Sequence, residues 1–148
     1  MKHLLSHAAQ LGVSVHVAHL PRPYRGWYDS AARRIVYDFD LTPAEQVSVL
    51  AHELGHAFHD HQCEGDVDAE RRADIYAAEL LIHPDQYAQL ERINPDRHFI
   101  ADELGVTVDV VHTFAEHCLT PMRGVTYSRP RHGFGQWRYR GIRVAEGA

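Results

Sequence analysis

The first third of the chain changes from a helical pattern to strand patterns. Residues 2–11 carry apolar side chains at helical spacing, and Gly12 is a suitable C-terminal stop. Residues 13–18 alternate apolar and polar positions, which favours a strand. Residues 26–28 and 34–39 have the composition of two further strands separated by a short turn. This part of the sequence therefore predicts one helix followed by a small sheet.

A helix start signal follows the predicted sheet. Thr42 can accept hydrogen bonds from first-turn amides, Pro43 suits the first helical position, and Glu45 completes a capping box. The spacing predicts a helix from there to about His59. After a looser acidic stretch, the helical pattern returns over residues 68–82.

The remaining pattern is mostly helical. Pro84 and Pro95 are each expected to begin a short helix. Residues 100–114 match a helix-turn-helix pattern, in which Ala101 and Gly105 take the small-residue and turn positions. The fold class expected is therefore α+β, mostly helical, with a small N-terminal sheet and a C-terminal helix-turn-helix-like unit.

Three segments describe the expected organisation within one compact domain. Residues 1–83 form the core, residues 84–118 form a helical unit packed on that core, and residues 119–148 form a basic segment that could fold as a hairpin. In that segment the strand-like positions are Val125, Tyr127, Trp137, Tyr139, Ile142 and Val144, with Gly133 and Gly135 as turn residues.

Length and composition exclude several classes. The chain has 148 residues, of which 45% are hydrophobic and 24% charged, as expected for one globular domain rather than a disordered or collagen-like chain. No stretch approaches the length of a membrane helix, and the first residues do not form a signal-peptide core. Two cysteines are too few for a disulfide scaffold. We expect a cytoplasmic protein.

Charge is unevenly distributed along the sequence. The net charge is −5 with histidine neutral, and this argues against nucleic-acid binding through bulk electrostatics. Residues 1–118 hold nine basic and nineteen acidic residues, whereas residues 119–148 hold six arginines and one glutamate. The basic segment could bind an acidic partner, or it could fold back on the acidic body. The segment expected to be the reading helix, residues 107–117, contains no Lys or Arg but does contain Asp109 and Glu116, so DNA binding is not expected.

The chemistry centres on the motif His52-Glu53-Leu54-Gly55-His56. Residues four apart on a helix share a face, so His52 and His56 can both reach one Zn²⁺. Glu53 projects from the same turn and can accept a proton from a metal-bound water. This is the helical HExxH arrangement of a zinc hydrolase.

A zinc site of this kind needs a third protein ligand. His59 lies seven residues after His52, about 10 Å along a continuous helix, which is too far to share one ion with the other two. Glu70 is the better candidate because it lies on the next predicted helix, four residues before Asp74. Asp74 would then accept the outer N–H of a ligand histidine. His61 and Cys63 are alternatives only if the first helix breaks sharply.

These residues resemble the ImmA/IrrE metallopeptidases. That family combines AHELGH with a downstream ExxA(N/D)xFAAxLLMP segment. This chain has AHELGH over residues 51–56 and ERRADIYAAELLI over residues 70–82, with Tyr76 where the family has Phe and Pro84 one position late. Upstream, Gly26-x-Tyr28 and the strand that leads into the motif helix are also similar. The resemblance covers roughly residues 10–120.

The resemblance implies a mostly helical, minimal zincin-like domain that binds one zinc ion per chain. His52, His56 and Glu70 would bind the zinc, and Glu53 would act as the general base. It further implies a cytoplasmic regulatory protease whose substrate is a protein, such as a transcriptional repressor. By analogy with this fold, the substrate would extend along an edge strand, for which residues 35–39 are a candidate. His112, His117, Tyr127 and His132 are candidate donors to the oxyanion, and the sequence does not rank them.

Two other functions fit part of this pattern. A non-catalytic interaction module could use the zinc only for stability, and a helix-turn-helix DNA-binding regulator could carry an incidental HExxH.

Overall fold

The fold is mostly helical α+β, as the sequence predicted, with a small mixed sheet near the N-terminus. The computed structural model describes residues 1–59, 66–122, 125–128 and 142–144. The first part contains α1 (Lys2–Gln10), β1 (Ser14–Ala18), β2 (Gly26–Asp29), β3 (Arg34–Asp38), α2 (Pro43–His59) and α3 (Val67–Leu81). The second part contains α4 (Pro84–Ile93), α5 (Arg97–Leu104), α6 (Val108–Thr113), a π-helix (Phe114–Cys118), β4 (Leu119–Met122), β5 (Val125–Ser128) and β6 (Ile142–Val144).

Strand β3 is the central strand of the N-terminal sheet. The strand order is β1-β3-β2, with β1 parallel to β3 and β2 antiparallel to it. The expectation that residues 35–39 form an edge strand was therefore wrong. The hydrophobic pattern of residues 35–39 could not reveal this, because strand order depends on which strands pair in the tertiary structure. Here β1 pairs with β3, the second strand of the β2–β3 hairpin, and not with β2. The edge strands of this sheet are β1 and β2.

Local turn chemistry explains the predicted helix stop and the hairpin. Gly12 follows α1 with a φ of +68°, a left-handed conformation that glycine adopts without strain. In the β2–β3 turn, Asp29 Oδ1 accepts a hydrogen bond from the main-chain N–H of Ala32 at 2.9 Å. Arg33 takes a positive φ of 47° immediately before β3.

The predicted capping box begins α2. The main-chain N–H of Thr42 donates to Glu45 Oε2 at 2.8 Å, and Thr42 Oγ1 accepts from the Glu45 N–H at 3.4 Å. Helix α2 then continues to His59, so it carries the whole motif without a break. Its fully buried side chains Leu50 and Leu54, together with Ile35 of β3, form part of the apolar core.

The chain divides into two compact units, Met1–Ala77 and Ala78–Ala148. In the second unit, α4 begins at Pro84 as predicted, and the preceding His83 accepts a hydrogen bond from the Asp85 N–H. Helix α5 begins at Arg97 rather than at Pro95, because Asp96 is its N-cap and accepts from the main-chain N–H groups of His98 and Phe99.

The helix-turn-helix pattern of residues 100–114 covers the end of α5, the turn after it and α6. Ala101 and Val111 are buried, and Gly105 ends α5 with a φ of +67°. The second helix differs from the expectation: α6 ends at Thr113, and a π-helix continues over residues Phe114–Cys118. Asp109 of α6 and Glu116 of the π-helix are both exposed.

Strands β4, β5 and β6 form an antiparallel sheet in the order β4-β5-β6. Trp137, Tyr139, Gly133 and Gly135 of the basic segment lie outside the described residues. Within the described part of the chain, no helix is both long enough and apolar enough to span a membrane.

Candidate metal centre

Two histidines on α2 face the same point. His52 and His56 lie one helical turn apart, and their Nε2 atoms are separated by 3.0 Å. Their side chains are only 23% and 11% exposed, so both rings are held among neighbouring residues. This is the arrangement that the HExxH spacing predicted.

Helix α3 supplies the third member of this cluster. Glu70 Oε2 lies 3.2 Å from His52 Nε2, and Glu70 Oε1 lies 3.4 Å from His56 Nε2. The three residues form a group whose ligand atoms all lie within 4.8 Å of one another and could hold a metal ion. We refer to His52, His56 and Glu70 as the metal cluster.

Asp74 lies one turn after Glu70 and contacts the opposite nitrogen of His52. His52 Nδ1 donates to Asp74 Oδ1 at 2.8 Å. An ionised carboxylate can only accept, so the hydrogen of the neutral imidazole belongs on Nδ1. The lone pair of His52 therefore lies on Nε2, which faces His56 and Glu70. Zinc binding requires this tautomer.

The pKa of His52 reflects its acidic surroundings. Burial alone lowers this pKa, because a charged imidazolium is poorly solvated inside the protein. The hydrogen bond to Asp74 and the negative charges of Glu53, Asp74 and Glu70 act in the other direction and outweigh burial, so the pKa is raised overall. The cluster is thus an environment that stabilises positive charge.

Glu53 lies on the buried side of α2, away from solvent. It is 7% exposed, although it is adjacent in sequence to the partly exposed His52. Its Oε1 lies beside Gly26 of β2, 3.5 Å from the position that a Cβ would occupy there. The carboxylate is therefore packed between its own helix and the sheet.

Small residues allow α2 and α3 to approach each other. A Cβ at Gly55 would lie 2.8 Å from Ala73 Cα and 2.9 Å from the Ala73 carbonyl oxygen. Ala73 is itself fully buried. Small side chains at this contact therefore let α3 come close to α2, and these two helices carry the metal cluster.

The donor set and its spacing fit a zinc ion. Tetrahedral zinc binds histidine nitrogen and carboxylate oxygen at about 2.0–2.1 Å, which places neighbouring ligand atoms about 3.3 Å apart. The distances within the cluster are 3.0, 3.2 and 3.4 Å. Three protein ligands also leave a fourth position open, as in catalytic rather than structural zinc sites.

Comparison with known families agrees with this geometry. The model of the peptidase M78 family, described as an IrrE N-terminal-like domain, matches residues 8–116. The chain belongs to this family. M78 proteins are metallopeptidases, and the match spans the sheet, α2 and α3 together with the helix-turn-helix-like segment. No curated protein gives a significant match to the chain.

The structure describes only some of the other candidate ligands and donors of this M78 domain. His59 is not a member of the metal cluster, and its ring lies 5.9 Å from that of Tyr76. His61, Cys63 and His132 lie outside the described residues. His112 belongs to the second unit, where its Nδ1 lies 2.9 Å from Glu116 Oε1. His117 lies in the π-helix and Tyr127 in β5 of the same unit.

His7 of α1 is buried. It is 3% exposed, and its Nε2 accepts a hydrogen bond from the hydroxyl of Tyr76. Burial lowers the pKa of His7 and raises that of Tyr76, which keeps the imidazole neutral and the hydroxyl protonated. The sequence did contain a signal: His7 lies three residues after Leu4 and one before Ala8, on the buried face of α1.

A second group of metal-ligating residue types lies at the end of β3 and on the loops that follow β1 and β3. It consists of His19, Asp38 and Asp40, and the first and last of these are exposed. Asp38 Oδ1 accepts from the main-chain N–H groups of Leu20 at 3.3 Å and Asp40 at 3.4 Å. Through these hydrogen bonds Asp38 holds the loop after β1 to the loop after β3.

Proposed function

We propose that this M78 domain is a zinc-dependent endopeptidase that cleaves a regulatory protein. The observation that carries the proposal is the convergence of His52, His56 and Glu70 from two helices, with Glu53 next to the first of them. In this proposal His52, His56 and Glu70 hold one zinc ion per chain, and Asp74 fixes the tautomer of His52 through its hydrogen bond.

Zinc, when bound, would acidify a coordinated water molecule and polarise the carbonyl of the scissile peptide bond. Glu53 would act as the general base: its carboxylate would take the proton of the attacking water and deliver it to the leaving amine nitrogen. Its low exposure supports this role, since a buried carboxylate stays in one place through both proton transfers.

Strand β2 is the edge that would bind an extended substrate. In its register with β3, the main chain of Arg25 bonds to Asp38, and antiparallel pairs alternate along a strand. The main-chain N–H and C=O groups of Gly26 and Tyr28 therefore point away from β3, where no other described strand pairs with β2. A peptide added at this edge would run past Gly26, beside Glu53.

The regulatory substrate follows from the resemblance to ImmA/IrrE proteins, whose members cleave repressors. A basic repressor surface would suit the acidic residues 1–118 of this chain. We therefore propose a transcriptional repressor as the physiological substrate.

The first experiment measures metal and cleavage together. Purified wild type, Glu53→Gln and Glu70→Ala are analysed by mass spectrometry for bound metal and then incubated with a library of proteome-derived peptides. We expect about one zinc per chain in wild type and in Glu53→Gln, with clear loss in Glu70→Ala. Cleavage should occur only in wild type.

Each contrary result has a specific meaning. Cleavage by a zinc-loaded Glu53→Gln protein would contradict the proposed base. Zinc that survives Glu70→Ala would exclude Glu70 as an essential ligand. A wild-type protein that takes up zinc but cuts no peptide and no repressor would support a non-catalytic module stabilised by zinc.

A further inference from the structure

Gly26 lies at the start of β2, at the point where that strand crosses α2. A Cβ placed on Gly26 would meet three atoms: Val49 Cγ1 at 2.6 Å, the Val36 carbonyl oxygen at 3.2 Å and Glu53 Oε1 at 3.5 Å. The first distance is shorter than any real contact between carbon atoms. A side chain at this position would therefore force the strand or the helix to move.

Neither neighbour can yield easily. Val49 is β-branched and lies within a helix, where one χ1 rotamer is strongly preferred, so its methyl group cannot simply rotate away. The Val36 oxygen belongs to the main chain of β3, the strand paired with β2. The close contact between β2 and α2 thus requires glycine, which has no side chain, at position 26.

Val49 and Glu53 are four residues apart on α2, so they lie on the same helical face. The main chain of Gly26 packs against both of them, and Glu53 is 7% exposed in this position. A glutamate has three rotatable side-chain bonds, and the close strand limits the conformations that its carboxylate can reach. Catalytic groups need such support, because a displacement of about 1 Å can reduce a rate about 100-fold.

We propose that Gly26 is a positioning residue for Glu53, an inference that rests on the proposed role of Glu53 as the general base. Because Gly26 has no side chain, β2 can lie close enough to α2 to hold the Glu53 carboxylate in place. None of the three atoms nearest to a Cβ at Gly26 belongs to the metal cluster. Its function is therefore separable from metal binding.

Gly55 provides the comparison. It lies on the same helix and is also crowded, but its neighbours are the main-chain and side-chain atoms of Ala73 on α3. Adding a methyl group at Gly55 should separate α2 from the helix that carries Glu70. Adding one at Gly26 should disturb Glu53 and leave the metal cluster together.

The test uses zinc-loaded full-length protein in which the glutamate side-chain carboxyl carbons are labelled with ¹³C. The chain has nine glutamates, and the Glu53→Gln variant identifies the signal of Glu53. The variants are Gly26→Ala, Val49→Ala, the double variant Gly26→Ala/Val49→Ala, and Gly55→Ala. Each is measured for zinc per chain, for the position of the Glu53 signal, and for cleavage of the peptide library.

We expect Gly26→Ala to keep about one zinc per chain while the Glu53 signal moves and cleavage falls about 100-fold. Val49→Ala removes the atom that lies 2.6 Å from the added methyl group. The double variant should therefore return the Glu53 signal towards its position in Val49→Ala and recover most of the cleavage. If Gly26→Ala does not fold, the double variant carries the test: its added methyl group still lies 3.2 Å from the Val36 oxygen and 3.5 Å from Glu53 Oε1, so a smaller shift of the Glu53 signal from its Val49→Ala position should remain, and coincident signals would contradict the proposal.

Two results would overturn the proposal. The first is a Glu53 signal in Gly26→Ala that coincides with the wild-type signal. The second is loss of zinc in Gly26→Ala to the extent seen in Gly55→Ala, which would mean that Gly26 supports the whole of α2. If wild type cleaves nothing, the proposed function fails. The ¹³C signal of Glu53 and the zinc content of the variants still decide whether Gly26 positions Glu53.

Discussion

Asp74 Oδ1 accepts a hydrogen bond from His52 Nδ1 across 2.8 Å, from one helix to the next. The carboxylate is about half exposed, whereas the histidine side chain is 23% exposed. Asp74 thus orients the partly exposed ring of His52 from the surface, and replacing it should not leave a buried charge unpaired. It also links the two helices that carry the metal cluster.

We therefore predict that Asp74→Ala lowers zinc affinity about 10- to 100-fold while the protein stays folded, because the tautomer and orientation of His52 are no longer fixed. Competition with a chromophoric chelator measures the affinity, and circular dichroism monitors the fold. Asp68→Ala is the matched control, since Asp68 is an exposed carboxylate on the same helix outside the cluster. Equal affinities for the two variants would contradict the role of Asp74.

Gly55→Ala should destabilise the protein even though alanine is the better helix former by about 1 kcal/mol. The added Cβ would meet main-chain atoms of Ala73 at 2.8 and 2.9 Å, and overpacking of this kind typically costs about 1–3 kcal/mol, against which the propensity gain is set. Zinc affinity should fall as well, because Glu70 and Asp74 both lie on the displaced helix. Urea unfolding and chelator competition measure the two effects.

A second-site variant refines the Gly55 prediction. Ala73→Gly removes the Cβ that lies 3.2 Å from the added methyl group but leaves the two closer main-chain contacts. It also introduces a glycine into the interior of α3 at a cost of about 1 kcal/mol, so the double variant should be no more stable than Gly55→Ala. A Gly55→Ala protein that is more stable than wild type and keeps its zinc would show that the helices are not in limiting contact there.

The buried His7 predicts a stability that depends on pH. Its pKa is lowered in the folded protein by burial, so the unfolded chain binds a proton more readily. The stability that neutral His7 contributes is fully present above about pH 6.5, the ordinary histidine pKa. It is lost as the pH falls from there through the lower pKa of the folded state. The slope for one proton is at most about 1.4 kcal/mol per pH unit.

His7→Gln should remove this part of the pH dependence while it leaves an acceptor for the Tyr76 hydroxyl. The free energy of unfolding is compared between pH 7.5 and 5 with chelator present, so that metal release does not contribute. His16→Gln is the control, since His16 is exposed on β1 of the same unit. The prediction fails if wild type and His7→Gln lose stability in parallel over this range.

The capping box predicts a smaller, local effect. Thr42→Ala removes the hydroxyl that accepts from the Glu45 N–H and donates to the Glu45 carboxylate, and should cost about 1 kcal/mol of stability. Glu45→Gln should cost less, because an amide oxygen can still accept from the Thr42 N–H. The ion pair between Arg25 and Glu45 is exposed and should add little. Thermal unfolding of the two variants tests this order.

Much of the site was predictable because it depends on local periodicity. The i, i+4 spacing of His52 and His56 follows from helix geometry alone, and so does the shared face of Glu70 and Asp74. The capping box at Thr42 and the glycine stop at Gly12 are likewise local signals, and the structure has both. In these cases the residues that determine the feature are close neighbours in the sequence.

Features that depend on residues far apart in the sequence were determined only by the tertiary structure. Strand order made β3 central and β2 an edge, which no hydrophobic run in one strand could show. The burial of His7 required Tyr76, which lies 69 residues away. The same holds for the crowding at Gly26, which arises only when β2 packs on α2. Sequence periodicity determined which chemical groups share a helical face, whereas packing between elements determined which faces meet.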